Sequence, residues 1–241
     1  MSYARSGHLS LAYLLHRRDY SNSSLLVECL TEDQGRFPAI VKGVKGKGKS
    51  GPSLLQPFIP LQICWSGKGE VKSLTQFELD GTLRQLSGKS LYCGFYLNEL
   101  MMRLLQRNDP HERLFHLYAN QLARLAEKGI DEAELRYFEL DLLNELGYGV
   151  DLELDVAGQC HIDPAGCYQF LQEKGLVPSS VDNEHAISGQ TLLSLQSRTL
   201  SLPEQLREAR KLLRTILGYY LGDKPLKSRE LFRFSSQPSQ R

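Results

Sequence analysis

Apolar and polar side chains alternate along most of the first 80 residues. In the clearest set, Leu25, Val27, Cys29 and Thr31 share one side and Glu28 lies on the other. A period of two is the spacing of a strand that turns one face to a core. Similar sets are Leu9, Leu11, Tyr13 and Leu15; Phe37, Ala39 and Val41; Ile59, Leu61, Ile63 and Trp65; and Val71 to Phe77. Five short strands separated by turn residues are typical of a five-stranded OB-fold barrel, with an SH3-like barrel as the alternative.

The period becomes helical from about residue 87. It predicts a first helix that ends at Asp109, a second that runs from there to about Lys128, and a third with its N-cap at Asp131 and its end at Gly147. Two further helices are predicted over Gly189 to Gln196 and from Pro203 to Tyr220. The predicted stripes are Leu91, Phe95, Asn98, Met102 and Leu105 in the first helix and Leu206, Ala209, Leu213, Ile216, Leu217 and Tyr220 in the last. Residues 148–188 lack this period and predict an irregular insertion with a short hairpin. The sequence therefore predicts an α+β protein: an OB-fold over 1–80, an α-helical domain over 81–234 and a disordered tail over 235–241.

Charge is segregated along the chain, although 29 basic and 28 acidic side chains leave a net charge of only +1. Residues 1–80 carry a net charge of +3, residues 81–200 carry −7 and residues 201–241 carry +5. A near-neutral total can therefore conceal local positive surfaces. With 41% hydrophobic residues, the composition excludes disorder as the main state. We also expect no membrane span and no signal peptide, and the five irregularly spaced cysteines favour free thiols in the cytoplasm.

The run from Gly43 to Ser50 matches the P-loop pattern G-x-x-x-x-G-K-S, with Lys49 at the lysine position. A P-loop must lead directly into a helix, whereas Gly51-Pro52 opposes one here. The favoured interpretation is a flexible basic loop whose lysines contact a phosphate backbone. A nucleotide-binding enzyme that uses Lys49 remains the alternative, beside a solvated turn.

Other positive side chains extend this hypothesis to a nucleic-acid surface. Around the barrel they are Arg17, Arg18, Arg36, Lys42, Lys45, Lys47, Lys49 and Lys68, and on the last predicted helix they are Arg207, Arg210, Lys211 and Arg214. The aromatic rings Tyr13, Phe37, Phe58 and Trp65 on the predicted strands could stack bases, although core packing explains most of them better. The sequence shows no motif of nucleophilic catalysis.

Several runs of residues, taken in order, resemble the RecO family of bacterial DNA repair and recombination mediator proteins. Each run is a weak motif, but the ordered set spans nearly the whole chain. The runs cover Ala12–Ser21, Ser24–Val27, Thr31–Arg36, Val41–Gly43, Leu55–Phe58, Gly67–Lys72, Gly94–Leu100, Leu135–Leu140, Leu146–Gly149 and Lys224–Leu231.

The resemblance implies an OB-fold followed by a helical domain, and no catalytic centre. It implies binding of single- and double-stranded DNA, annealing of complementary strands, and loading of the RecA recombinase onto strands coated by single-strand DNA-binding protein. The implied partners are the mediator RecR and the acidic C-terminal tail of single-strand DNA-binding protein. A generic OB-fold binder of single strands or RNA is the alternative. We expect the chain to be a monomer by itself and to associate with the nucleoid.

Two further expectations concern partner and metal sites. An acidic tail with an apolar end needs a cation beside an apolar groove, for which Leu135, Arg136, Phe138 and Arg210 are candidates. Many relatives carry a four-cysteine zinc site after the Leu-Gly-Tyr-Gly run, whereas only Cys160 and Cys167 are present there in this chain. Because these two cysteines lack the close spacing of a zinc site, we expect a remnant without metal, and no cofactor.

Overall fold

The chain divides into two compact units. The computed structural model describes residues 9–44, 53–83, 85–156 and 159–235, the last four of these by their backbone alone. The first unit comprises residues 1–130 and 226–241, and the second comprises residues 131–225. The N-terminal strands and the first two helices therefore share one unit, to which the end of the chain returns.

The first unit is built on a closed five-stranded barrel. Its strands are β1 (Ser10–Asp19), β2 (Leu25–Thr31), β3 (Gly35–Val41), β4 (Leu61–Ser66) and β5 (Lys72–Leu79). They follow one another around the barrel in the order β1-β2-β3-β5-β4. Every neighbouring pair is antiparallel except β3 and β5, which are parallel. The predicted OB-type barrel is confirmed.

The predicted alternating positions of three strands, β2, β3 and β4, lie in the core of the barrel. Val27 and Cys29 of β2, Phe37 of β3 and Ile63 of β4 are almost completely buried in it. On β1, however, the core residues are Ala12 and Leu14, and the predicted set with Tyr13 lies on the opposite face. There the Tyr13 ring contacts the rings of Phe115 and Tyr118. Strand β1 is therefore buried on both faces, because helices cover its outer side.

Among the described residues, three helices complete the first unit. They are α1 (Gly88–Leu104), α2 (Glu112–Glu127) and α6 (Ser228–Ser235), and α6 packs on α1. Helix α1 ends five residues before the predicted boundary, and its stripe differs from the prediction. Phe95 is 38% exposed, whereas Leu97, Leu100 and Met101 are fully buried. This difference arises because α1 packs against the barrel, α2 and α6.

Polar side chains fix these helices to their neighbours inside the first unit. Asn98 of α1 donates a hydrogen bond to the Leu15 carbonyl at 2.7 Å and accepts one from the Tyr118 hydroxyl at 2.6 Å. The Glu99 carboxylate accepts hydrogen bonds from the backbone amides of Lys227 and Ser228 and from the Ser228 hydroxyl. Burial raises the pKa of Glu99, but these hydrogen bonds outweigh it, so that the pKa lies below its ordinary value.

The second unit combines helices with short hairpins. Its elements are α3 (Glu132–Glu145), β6 (Leu154–Asp155), β7 (Cys160–His161), β8 (Cys167–Leu171), β9 (Gly175–Pro178), β10 (Ile187–Ser188), α4 (Gly189–Gln196) and α5 (Pro203–Leu221). Asp131 accepts hydrogen bonds from the amides of Ala133 and Glu134, which confirms the predicted N-cap. Helix α4 has its predicted bounds. On α5 the prediction of a buried Tyr220 is wrong, since this residue is 39% exposed.

No helix within the described ranges is long and apolar enough to cross a membrane.

Candidate nucleic-acid interface

Strand register gathers four of the predicted positive side chains at one end of the barrel. Arg18 lies opposite Leu26 near the end of β1, and Lys42 directly follows the end of β3. Because β5 begins beside the end of β3, the β4–β5 turn that carries Lys68 lies at this same end. Arg17 precedes Arg18 and also belongs to it. We call Arg17, Arg18, Lys42 and Lys68 the barrel-end cations.

The barrel-end cations are exposed side chains. Arg17 donates a hydrogen bond to the Leu55 carbonyl at 3.0 Å, which orients its guanidinium. Arg18, Lys42 and Lys68 make no ion pair with any residue in the described ranges. Exposed cations without a protein carboxylate are available to an external anion. The predicted lysines of the following loop, Lys45, Lys47 and Lys49, lie outside the described residues, as does most of the P-loop-like run.

Arg36 lies apart from this group, at the opposite end of β3. Its side chain is only 12% exposed and contacts the Glu28 carboxylate at 2.6 Å. It also donates to the Leu105 carbonyl at 2.8 Å, while Arg107 contacts the same carboxylate at 3.2 Å. Burial, only partly offset by the Glu28 charge, lowers the pKa of Arg36. Arg36 connects the barrel to the segment after α1, and its charge is occupied by Glu28, so it is not part of the candidate interface.

The β2–β3 turn, which lies beside Arg36, also packs closely against the segment after α1. The Asn108 amide donates to the Arg36 carbonyl at 2.8 Å. Gly35, at a φ of +70°, leaves no room for a side chain, since an added Cβ would lie 2.2 Å from the Asp109 carbonyl oxygen. The backbone of the β2–β3 turn therefore packs directly against the chain that leads into α2.

A second positive surface lies on α5. Arg207, Arg210, Lys211 and Arg214 are all exposed there, as their spacing predicts. Arg210 forms an ion pair with Glu132 of α3. The other three make no ion pair within the described part of the chain. This helix face therefore offers three available cations.

The structure does not place the predicted partner-binding set around an open groove. Phe138 is 3% exposed, and Leu135 is half-buried. Arg136 is 6% exposed and contacts Glu139, one turn further along α3, at 2.8 Å. Of the four predicted residues, only Arg210 is exposed.

The aromatic rings considered from the sequence are buried. Tyr13, Phe37, Phe58 and Trp65 are each at most 8% exposed, and Phe58 lies in a turn instead of a strand. Phe37 and Trp65 contact each other inside the barrel, with ring centroids 4.9 Å apart. The sequence interpretation missed the tyrosines at the end of α5, which follow Gly218. The signal that could have revealed them is the position of Tyr219 outside the apolar stripe.

Possible metal ligands are dispersed in the second unit. Cys160 is exposed and Cys167 is half-buried, and neither belongs to a group of three potential ligands within the described residues. One such group is present in the first unit, where ligand atoms of Glu32, Glu112 and His116 lie within 4.8 Å of one another. The Glu32 carboxylate is 2.8 Å from His116 Nε2, so these exposed side chains already interact with each other.

An OB-type barrel with exposed cations at one end, in a chain that also carries an exposed basic helix, defines a class of proteins suited to bind polyanions. Family comparison is more specific. Residues 8–82 match the model described as "Recombination protein O N terminal", and residues 85–230 match "Recombination protein O C terminal". The chain therefore belongs to the RecO family of DNA repair and recombination proteins.

Individual relatives agree with this assignment. The chain is 44% identical to a protein named DNA repair protein RecO from Methylococcus capsulatus, over 95% of this chain and 94% of the relative. It is 44% identical to the protein of the same name from Coxiella burnetii, over 92% and 96% of the two chains. For the one from Photobacterium profundum, the values are 39% identity over 93% and 95%.

Proposed function

We propose that this chain is a recombination mediator that binds single- and double-stranded DNA and anneals complementary strands. In this proposal it helps to load the RecA recombinase onto strands coated by single-strand DNA-binding protein. It acts without catalysis of its own, as a monomer, in the cytoplasm and at the nucleoid. Membership of a DNA repair family supports the role in repair and recombination, and the surface charge supports the contact with DNA.

Strand register brings the barrel-end cations together at one end of the barrel, and this observation carries the proposal. These side chains come from three separate segments, so their shared position is a product of the fold. Lysine and arginine bind the phosphate backbone without regard to sequence, which suits a protein that must act on any broken or gapped DNA. Lys45, Lys47 and Lys49 follow Lys42 in the chain and add charge to the same segment.

Annealing follows from the same electrostatics. Two complementary strands repel each other until their phosphates are neutralised, and cations on a protein surface supply that neutralisation locally. The basic face of α5 provides further phosphate contacts through Arg207, Lys211 and Arg214. DNA bound in this way is held through its backbone, so the bases remain available for pairing.

The proposed partners are RecR and the acidic tail of single-strand DNA-binding protein. The resemblance described above is their basis. For the acidic tail, Arg210 is the accessible member of the predicted set. Its ion pair with Glu132 is a contact that a carboxylate of the tail would replace.

The test measures binding of a fluorescent single-stranded oligonucleotide across a salt series. Removal of three barrel-end cations in Arg18→Ala/Lys42→Ala/Lys68→Ala should make the slope of log K against log salt shallower by about 2, since each lost contact on a single strand contributes about 0.7. The matched control removes the same charge elsewhere, at the exposed residues Lys89, Lys128 and Lys174.

Equal slopes in the two triple variants would remove the barrel end from the interface. Annealing is measured separately on strands coated with single-strand DNA-binding protein. Here the wild-type chain should accelerate annealing, and the barrel-end variant should not. A generic single-strand binder would fail on the coated substrate.

A further inference from the structure

The exposed face of α5 has properties beyond its charge. Arg207, Lys211 and Arg214 extend over about 10 Å of the helix at about 1.5 Å per residue. They are exposed and make no ion pair with residues in the described ranges, as shown above. A polyanion that lies along α5 would therefore meet three cations in a row, without first displacing a protein carboxylate.

The next position in this row is Gly218. A Cβ atom added to Gly218 would meet nothing within 4 Å, so packing inside the protein does not require a glycine there. Glycine is unfavourable in the interior of a helix, because it loses more backbone freedom on folding than alanine does. The absence of a side chain beside the last cation lets the backbone of a partner approach the helix closely.

Aromatic rings follow immediately. Tyr219 is 44% exposed and Tyr220 is 39% exposed. The Tyr220 ring stacks on Tyr148, with centroids 3.9 Å apart and planes 11° from parallel. The Tyr219 ring is steadied by Phe170 at 6.0 Å and retains the larger open surface. Tyr219 follows Gly218 by one residue, so its ring lies about 100° around the helix from the row of cations. An exposed ring beside a row of cations suits a single strand, whose phosphates follow the cations while a base turns aside to stack on the ring.

We propose that α5 forms a second nucleic-acid site that is selective for single strands. The phosphates lie along Arg207, Lys211 and Arg214, the backbone passes Gly218, and an unpaired base stacks on Tyr219. This inference rests on the proposed function, because it assumes a DNA partner, and it adds the type of strand and the residues in contact. A duplex could use the cations, but its bases are already stacked inside the helix and cannot reach the ring.

The test compares a labelled oligothymidine with a duplex of equal length, at one salt concentration, on the full chain. Stacking of one base contributes about 1–3 kcal/mol, so Tyr219→Ala should weaken single-strand binding about 5- to 150-fold. Duplex binding should stay the same. The matched control Tyr219→Phe keeps the ring and should bind the single strand as the wild type does. The same substitutions in the barrel-end variant show the effect of α5 without the contribution of the barrel.

Gly218→Ala provides a second variant for which unfolding is no explanation. Alanine favours the helix and meets no neighbour, so the melting temperature should rise while single-strand affinity falls. Unchanged single-strand affinity in both Tyr219→Ala and Gly218→Ala would overturn the site. An equal loss for duplex and single strand in Tyr219→Ala would also overturn it.

Two other outcomes separate this inference from alternatives. If the wild-type chain binds neither DNA, the proposed function itself fails. If Tyr219→Ala binds the single strand normally, and if Arg214→Ala loses affinity only for a labelled polyglutamate peptide, α5 is a docking face for an acidic peptide and the inference is wrong.

Discussion

The Glu28 carboxylate lies between two arginines at the junction of the barrel with the segment after α1, and its removal should strongly destabilise the first unit. In Glu28→Ala the Arg36 guanidinium stays in place, only 12% exposed, and loses its anion. Breaking a buried ion pair from one side costs about 3–5 kcal/mol. We expect about 3 kcal/mol, because the Leu105 carbonyl still accepts a hydrogen bond from Arg36. Arg107→Ala should cost less than about 1 kcal/mol, since Arg107 is half exposed.

Urea unfolding followed by tryptophan fluorescence measures this difference. Trp65 is the single tryptophan of the chain and lies in the barrel core, so its emission reports on the first unit. Glu70→Ala, at an exposed glutamate in the β4–β5 turn, is the control and should change stability by less than about 0.5 kcal/mol. If Glu28→Ala costs no more than Arg107→Ala, the buried pair does not join the barrel to this segment as described.

Three further predictions concern the first unit. Because the pKa of Glu99 is lowered, its contacts with the start of α6 stabilise the fold above the ordinary carboxyl pKa of 4.5 and are lost as pH falls through the folded value. Glu99→Gln should therefore lose less stability on acidification, and identical pH profiles in urea unfolding would contradict this. Asn98→Leu leaves the buried Tyr118 hydroxyl and a carbonyl without partners and should cost on the order of 2–4 kcal/mol, part of which Tyr118→Phe should restore in the double variant. Gly35→Ala should lower stability by more than about 2 kcal/mol, because Gly35 has a positive φ and an added Cβ would clash with the Asp109 carbonyl. Gly81 has a similar φ but open space around it, so Gly81→Ala should cost only about 1–2 kcal/mol. Equal losses in the two variants would refute the clash.

Strands with one buried face were predictable from the sequence, and a strand buried on both faces was not. Alternation assigned Val27 and Cys29 of β2 correctly to the barrel core. On β1 the same rule selected Tyr13, which packs on helices, while Ala12 and Leu14 fill the barrel. A period of two identifies the faces of a strand, but it does not show which face meets the barrel when tertiary contacts cover both.

The candidate site was predictable as far as exposure follows from helix geometry. The spacing of Arg207 and Lys211 was enough to place them on an exposed face of α5. For Arg36 and Arg136, residue type favoured the surface, yet each is buried beside a glutamate. Such pairs depend on which acid the fold brings near, in particular Glu28 on the neighbouring strand. Tyr219 was missed because aromatic residues near an apolar stripe are most often core residues.

The return of the chain to the first unit makes the second unit an insertion. The first unit is interrupted after residue 130 and resumes at Leu226, where the start of α6 contacts Glu99 of α1. During synthesis from the N-terminus, the barrel, α1 and α2 are made about 95 residues before their last packing partner. Until α6 is synthesised, the surface of α1 on which it packs remains uncovered. A chain arrested before Leu226 would therefore lack the hydrogen-bond partners of Glu99 and the packing of α6 on α1, and its first unit should be less stable than that of the full chain.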